Sequence, residues 1–448
     1  MGVKTMARYE KGYINSRIKY HGRKGADISN KFAFVGLGLM GNRVVDTISQ
    51  FENDSGKVFY PTLAINTNQQ DLDSIENCKN KLLLEGFEKG AGRNPQMGHR
   101  AIAKNEEKVR RAFVNISDDM DMTFIVAGLG GGTGTGGVLN FVNWAIQIRE
   151  HTGIQFGLML SIPRDNDGNL ENRNALTILN QIKELVAKRQ VPLILIDNEM
   201  LYKDYLRRRE QGKLNNDVDW TSDSNLTISG VIHQLNLITK FKPTGNKNFD
   251  AQELLRVLNT GGCVTFSRMK IPTEDFKDER TLMTRIENGI EKGLVSQGYD
   301  YKNEVVSMGV SIISPINKTH EVFDIVVLDK IERSVSKLVP NADIFWGTYE
   351  DKVENTNYTY IFTVMAGMNF PQRVDKMHEK AQNQKQSVNI TKDLSLDYKE
   401  EVTEKISVIV NPFEEVSETK VDNFSLGGIF SEEKRKEIVA PDWLKDML

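Results

Sequence analysis

Apolar residues recur along the chain in short runs separated by longer amphipathic stretches. Runs at 32–36, 62–66, 123–127, 156–162 and 192–196 read as strands, and 41–51, 99–115, 135–150 and 172–189 read as helices between them. This alternation predicts a parallel sheet with helices on both faces. Ligands on such sheets bind beyond the carboxyl ends of the strands. In "TSDSNLTISGVIHQLNLITK" (221–240), Ile228, Val231, Ile232, Leu235 and Ile238 repeat at helical spacing, with Asp223 or Ser224 placed to cap the start. This predicts a long helix between two domains. Residues 243–260 read as a loop and a short helix. The second domain then mixes helices (277–295, 321–338) with strands (305–313, 343–349, 358–366). In the last strand Tyr358, Tyr360, Phe362 and Val364 read as one half-buried face.

The expected organisation is a basic arm at 1–30, a nucleotide-binding domain at 31–220 and a central helix at 221–241. A second α+β domain at 242–370, a polar helix at 371–387 and a flexible acidic tail at 388–448 follow. The tail closes in "VAPDWLKDML", where Trp443, Leu444, Met447 and Leu448 bring apolar surface back. Residues 438–448 read as a docking peptide for a partner groove or as a sticky disordered end. The basic arm reads as a contact to a neighbouring subunit or DNA, or as a solvated tail.

Composition narrows the class. The 448 residues are 39% hydrophobic and 27% charged, with a net charge of −3. That balance suits a soluble globular protein and gives no case for whole-chain binding to nucleic acid or membrane. Two distant cysteines, Cys78 and Cys263, and six scattered histidines match no metal-ligand spacing. No signal segment or membrane-length apolar run is visible, so a cytoplasmic setting is expected, without membrane insertion.

Two glycine-rich strand ends carry the candidate chemistry. "KFAFVGLGLMGNRVVD" (31–46) sets Gly36, Gly38 and Gly41 in G-x-G-x-x-G spacing, with Leu39 and Met40 between and Asn42 after. This is a dinucleotide-type turn. A dehydrogenase would add an acid at the end of the second strand. That strand, "TLAIN", ends in Asn66, and Asp71 falls five residues later, inside the next helix. The second loop, "IVAGLGGGTGTGG", holds seven glycines within ten positions (128–137), with Thr133 and Thr135 interleaved. Glycines let backbone N–H groups turn inward, and a helix N-terminus adds partial positive charge. No Lys follows the glycines, so this polyphosphate cradle is not a Walker A loop.

"GGGTGTG" (130–136), with "GLGLMGN" (36–42), "NTNQQDL" (66–72), "GAGRNPQMG" (90–98), "LIDNEML" (195–201) and "NFDAQE" (248–253), resembles the tubulin/FtsZ superfamily of GTPases, over about residues 31–385. Within it, "GAGRNPQMG", "IDNEMLY" and "FDAQE" look most like the TubZ branch, which segregates plasmid or phage DNA. The resemblance implies the tubulin/FtsZ fold, GTP/GDP as ligand and Mg²⁺ as cofactor. It implies α- and β-phosphate contacts from Gly36, Gly38, Gly41 and Asn42. Asn42 is then the expected side-chain contact of that loop. The β- and γ-phosphates fall to Gly130, Gly131, Gly132, Thr133, Gly134, Thr135 and Gly136. Thr67 and Asn68 would reach phosphate or a Mg²⁺-bound water, and Arg93 and Asn94 the γ-phosphate. Asn198 and Asn225 would read guanine, and Asp167 the ribose. No arginine of "SIPRDNDG" (161–168) or beyond it matches the family's ribose-side arginine: Arg164 comes early and Arg173 late.

The resemblance also implies head-to-tail stacking, with Asn248, Asp250 and Glu253 entering the pocket of the next subunit to polarise the attacking water. Spacing alone allows a plainer role for the two acids, an acidic helix start. A small TubR-like DNA-binding adaptor on a centromere-like site is the implied partner, so DNA contact is indirect. The tail departs from the Lys-rich tails of that branch by being acidic. An FtsZ-like division or scaffold GTPase is the alternative, a non-hydrolysing filament protein a further one, and an NAD-dependent dehydrogenase a distant one.

Overall fold

The computed structural model describes residues 9–394 apart from 215–217 and 353–355, with side chains to residue 383. The acidic tail beyond 394 and its terminal peptide lie outside the described residues.

Five strands form where the apolar runs predict them: β1 (Phe32–Leu37), β2 (Thr62–Asn66), β4 (Met122–Gly128), β5 (Phe156–Ile162) and β6 (Pro192–Asp197). They are buried almost without interruption, as strands covered on both faces require. Two further strands, β3 (Asn80–Leu83) and β7 (Gly262–Pro272), escape the pattern. β3 is a short edge strand, mostly exposed. In β7, Arg268 and Lys270 interrupt the apolar run and point to solvent. With β8 (Ser307–Pro315), β9 (Asp343–Asp351) and β10 (Tyr358–Met368), all ten join one sheet, ordered β3-β2-β1-β4-β5-β6-β7-β10-β8-β9. Pairing is parallel from β3 to β7, antiparallel on both sides of β10, and parallel between β8 and β9. Beyond Tyr360, β10 is buried on both faces rather than half-buried.

The helices are α1 (Lys11–Arg17), α2 (Gly38–Ile48), α3 (Gln69–Asp73), α4 (Pro95–Lys104), α5 (Glu106–Ser117), α6 (Thr133–Thr152) and α7 (Asn169–Ala187). α8 (Asn198–Glu210), α9 (Trp220–Ile238) and α10 (Ala251–Asn259) follow. The single helix expected at 99–115 is two, α4 and α5, broken at Asn105. Its carboxamide bonds across to the backbone of Glu85 instead. The last helix, Gln372–Leu394, forms in the polar segment after Pro371.

The central helix α9 is capped by Asp219, not by Asp223 or Ser224. The Asp219 carboxylate accepts from Thr221 N and Ser222 N. Asp223 lies inside the helix, 1% exposed, and accepts from Tyr13 Oη at 2.8 Å while pairing with Arg17 and Arg208. Residues 9–30, expected as a basic arm, therefore pack on α9. Tyr9, Ile14, Ile18 and Tyr20 are in the core, while Lys11 and Arg23 pair with Glu52 and Asp351. The apolar residues of this segment are too scattered among its cations to show as a pattern.

His21 follows α1 and meets His233 of α9, Nδ1 to Nε2 at 2.9 Å, while Tyr60 Oη lies 2.8 Å from His233 Nδ1. Burial pushes both imidazoles down, His21 to about 4. For His21 the unfolded chain takes up its proton near the ordinary value of 6.5, the folded chain only near 4. Stability from this contact is thus complete above about pH 6.5 and falls as pH drops toward 4, by on the order of 3 kcal/mol for His21. Melting curves at pH 7.5 and 4.5 should show a smaller acid loss for His21→Gln than for the unmodified chain.

Candidate functional site

The carboxyl ends of β1, β2, β4, β5 and β6 border one cavity of about 540 Å³. Gly38, at φ +69°, turns the chain from β1 into α2 and lies against Gly134, with Leu39 and Met40 on the wall. From the end of β4, Gly130, Gly131, Gly132, Thr133 and Gly134 line the facing wall and lead into α6. Neither α2 nor α6 has a side-chain cap. By contrast α3, α4, α8, α9 and α10 each start on an Asn or Asp that accepts from the first turn. Two helix N-termini thus bring first-turn N–H donors, taken up by no side chain, to a single cavity.

The neighbouring strand end adds oxygen ligands. Thr67 Oγ1 and Thr133 Oγ1 are 2.7 Å apart. Asn68 lines the cavity and caps α3 by accepting from Asp71 N. Asp71 also lines it, oriented by Asn66 Nδ2 at 3.1 Å. Asp71 lies inside α3, as the sequence predicts, and reaches the cavity from there.

The loop at 89–94 closes one side. Arg93, at φ +59°, pairs with Glu171 at 2.5 Å across the cavity mouth. Asn174 of α7, 2% exposed, was not foreseen. Its Nδ2 donates to the carbonyls of Arg93 (2.9 Å), Gly130 (3.2 Å) and Gly131 (3.3 Å) and ties the two loops together. Asn174→Leu is expected to weaken GTP binding about tenfold by freeing both loops. Equilibrium titration beside a melting curve checks this, and an equal loss of both would reduce Asn174 to a stability role.

Several expected contacts hold the frame instead. A Cβ on Gly41 would sit 2.1 Å from Val126 O, and one on Gly36 would sit 2.7 Å from the Gly41 backbone. These two glycines pack α2 on the sheet. Asn42 is fully buried, its carboxamide bridging the N–H and carbonyl of Ile65 at 3.2 Å each, so it is not the side-chain contact expected of it. Thr135 is buried and donates to Gly128 O, and Gly136 packs against the Pro95 carbonyl. The Asn94 carboxamide caps α4. None of them lines the cavity.

At the far end, Ser161, Pro163, Asp167 and Asn198 line the wall. Asp197 caps α8, which leaves the Asn198 carboxamide bonded to no described residue. Asp167 accepts from the backbone and guanidinium of Arg164, which stacks over Tyr202 and Trp220. Arg173 is exposed on α7 and does not line the cavity. Arg373 braces this end: it donates to Pro163 O at 3.1 Å and pairs with Asp165 at 3.0 Å. Burial raises the Asp197 carboxyl, and Arg373 nearby works against that rise. Asn225 is buried in α9, does not line the cavity, and has a carboxamide bonded to no described residue.

Asn248, Asp250 and Glu253 do not line their own chain's cavity. Phe249, fully buried, anchors their loop, and its carbonyl accepts from Tyr349 Oη at 2.7 Å. Asp250 caps α10, and Glu253 Oε2 returns to Asp250 N, a complete capping box. Burial pushes the Glu253 carboxyl up, against the hydrogen bond from Asp250 N, which holds it down. Among the described residues no cluster of His, Cys, Asp or Glu is arranged to hold a metal by itself, and no helix is long and apolar enough to cross a membrane.

Known proteins match this architecture. The profile of the tubulin/FtsZ family GTPase domain matches residues 31–205, and that of the C-terminal domain of tubulin-like protein TubZ matches residues 247–372. The tubulin-like protein TubZ of Bacillus cereus is 30% identical over 368 residues, covering 78% of this chain and 81% of the relative. Cell division protein FtsZ 1 of Methanocaldococcus jannaschii is 27% identical, over 73% and 80% of the two chains. The crystallised GTPγS-form protofilament of Bacillus thuringiensis serovar israelensis TubZ superposes with a TM-score of 0.70 at 20% identity, over 87% of this chain and 100% of that one. The GTPase-domain match spans both glycine-rich turns and displaces the dehydrogenase alternative, and the C-terminal match separates TubZ from FtsZ. The chain belongs to the TubZ branch of the tubulin/FtsZ family and is a GTPase.

Proposed function

We propose that this chain binds GTP with its phosphates on the first turns of α2 and α6, and hydrolyses it when copies stack head to tail. The observation that carries the reading is the pair of helix N-termini, without side-chain caps, that face one cavity. Backbone N–H groups there bind phosphate without a Walker lysine. The guanine lies toward Asn198, whose carboxamide has donors and an acceptor to offer. Asp71, with the hydroxyls of Thr67 and Thr133, is a hard-oxygen set that fits Mg²⁺. That ion would neutralise charge on the β- and γ-phosphates.

The cavity's own carboxylates are engaged, Asp71 by Asn66, Asp167 by Arg164 and Glu171 by Arg93, which leaves the base to a neighbouring copy. Asp250 and Glu253 are held outward by a rigid cap at the start of α10 and supply that base to the neighbouring copy. Non-closing heterologous contacts of this kind build filaments. Relatives have been solved as protofilaments and as a two-stranded filament, and one is described as a type III plasmid segregation protein. Movement of plasmid or phage DNA in the cytoplasm, through a small DNA-binding adaptor, is the role this supports. Right-angle light scattering with GTP, ATP or no nucleotide, read beside phosphate release, tests the proposal. GTP alone should raise both signals. Scattering that ignores nucleotide, or assembly without phosphate release, would overturn it.

A further inference from the structure

A second and larger cavity, about 910 Å³, opens between residues 15–27, the end of α9 and the outer residues of β7 and β10. Lys19, Arg23, Lys24, Lys240, Arg268 and Lys270 line it, with Asp27 the one carboxylate of its lining. Some of this charge is matched within the fold: Arg23 pairs with Asp351, and Lys240 reaches Asp27 at 3.8 Å. Lys24, Arg268 and Lys270 have no carboxylate partner among the described residues. Arg268 donates instead to the carbonyl of Arg17 at 3.2 Å. Arg268 is exposed, and an arginine stays charged. The recess keeps a surplus of positive charge that folding leaves unneutralised.

The rings beside these cations narrow the ligand. Arg23 lies over Tyr20 at 4.2 Å, Lys19 over Tyr360 at 4.6 Å and Lys270 over Tyr358 at 4.0 Å. Those π faces are already covered, so a single-stranded nucleic acid finds no stacking platform. A duplex is a convex rod and would ride over a recess. Separate cations, with the partly exposed Phe241 between them, suit a chain that alternates carboxylates with apolar side chains. We infer that this groove docks an acidic peptide segment of a partner protein, with its carboxylates on Lys24, Arg268 and Lys270 and its apolar side chains against Phe241.

The test uses the full chain and a fluorescein-labelled synthetic peptide alternating Glu with Phe and Val, followed by anisotropy at low salt. Saturable binding is expected, weakened by added salt. The double variant Lys24→Glu/Lys270→Glu changes two exposed side chains and should weaken binding about tenfold or more. The same variant should bind GTP unchanged, since neither lysine lines the nucleotide cavity. Absence of saturable binding, or equal binding by the double variant, overturns the inference. Displacement of the peptide by oligothymidylate at a lower concentration than by unlabelled peptide also overturns it, in favour of a nucleic-acid site. None of these outcomes depends on GTP hydrolysis, so failure here leaves the proposed function standing.

Discussion

Asp250→Asn and Glu253→Gln are each expected to fold and bind GTP normally while GTP turnover falls by about 10²–10⁴-fold, the span typical of losing a positioned general base. The amide variants are needed because the structure gives these acids two roles at once. Asp250 accepts from Gln252 N and Glu253 N, and Glu253 closes the box on Asp250 N. Asparagine caps a helix about as well as aspartate, and glutamine serves in a capping box as glutamate does. The amides therefore keep α10 in place and remove only the negative charge. Alanine would also remove the cap, at about 1 kcal/mol, and confuse the two effects. Phosphate release under assembly conditions, with melting curves alongside, separates them. Amide variants that hydrolyse GTP at the unmodified rate would leave the two acids as a helix cap and nothing more.

The second large effect divides glycines that look alike in sequence. Gly41→Ala would place a methyl 2.1 Å from the Val126 carbonyl oxygen, backbone against backbone, so α2 must lift off β4. A loss of about 3 kcal/mol or more is expected, beyond ordinary overpacking because no side chain can give way. At Gly131, which lines the cavity, an added Cβ meets no heavy atom within 4 Å. Gly131→Ala should melt like the unmodified chain but bind GTP about tenfold more weakly, because a phosphate can no longer approach the backbone. Denaturant unfolding and nucleotide titration on both variants check the pair. A stable Gly41→Ala would refute the packing role, and tight GTP binding by Gly131→Ala would move the phosphates off this loop.

These two glycines mark the border of what the sequence could tell. Apolar runs and glycine density located the strand ends, because a parallel strand must be apolar throughout and a phosphate loop must lack side chains. Which glycine faces the ligand and which faces a neighbouring helix depends on the side of the turn, and G-x-G-x-x-G spacing is silent on that. Asn42 follows the last glycine directly, yet its side chain turns toward β2. Asp71 lies in a helix rather than at the strand end, but α3 is short and starts at the cavity rim. Asn174 and Arg373 were illegible for a different reason. Each acts on carbonyls far away in the chain, and a carbonyl leaves no residue-type signature. β7 was lost because two outward cations broke its apolar run, and those same cations line the second cavity.

The packing of residues 9–21 on α9 sets a timetable for synthesis. Tyr9 Oη donates to Ser222 O across a separation of 213 residues, and His21 meets His233 across 212. At roughly 5–20 residues per second, the first segment to leave the ribosome waits on the order of 10–40 s for the helix that covers it. During that interval Tyr9, Ile14, Ile18 and Tyr20 lack the part of their core that α9 supplies. A nascent chain halted before α9 should thus present an apolar, cationic N-terminus to chaperones, while a chain released after Ile238 should hide it.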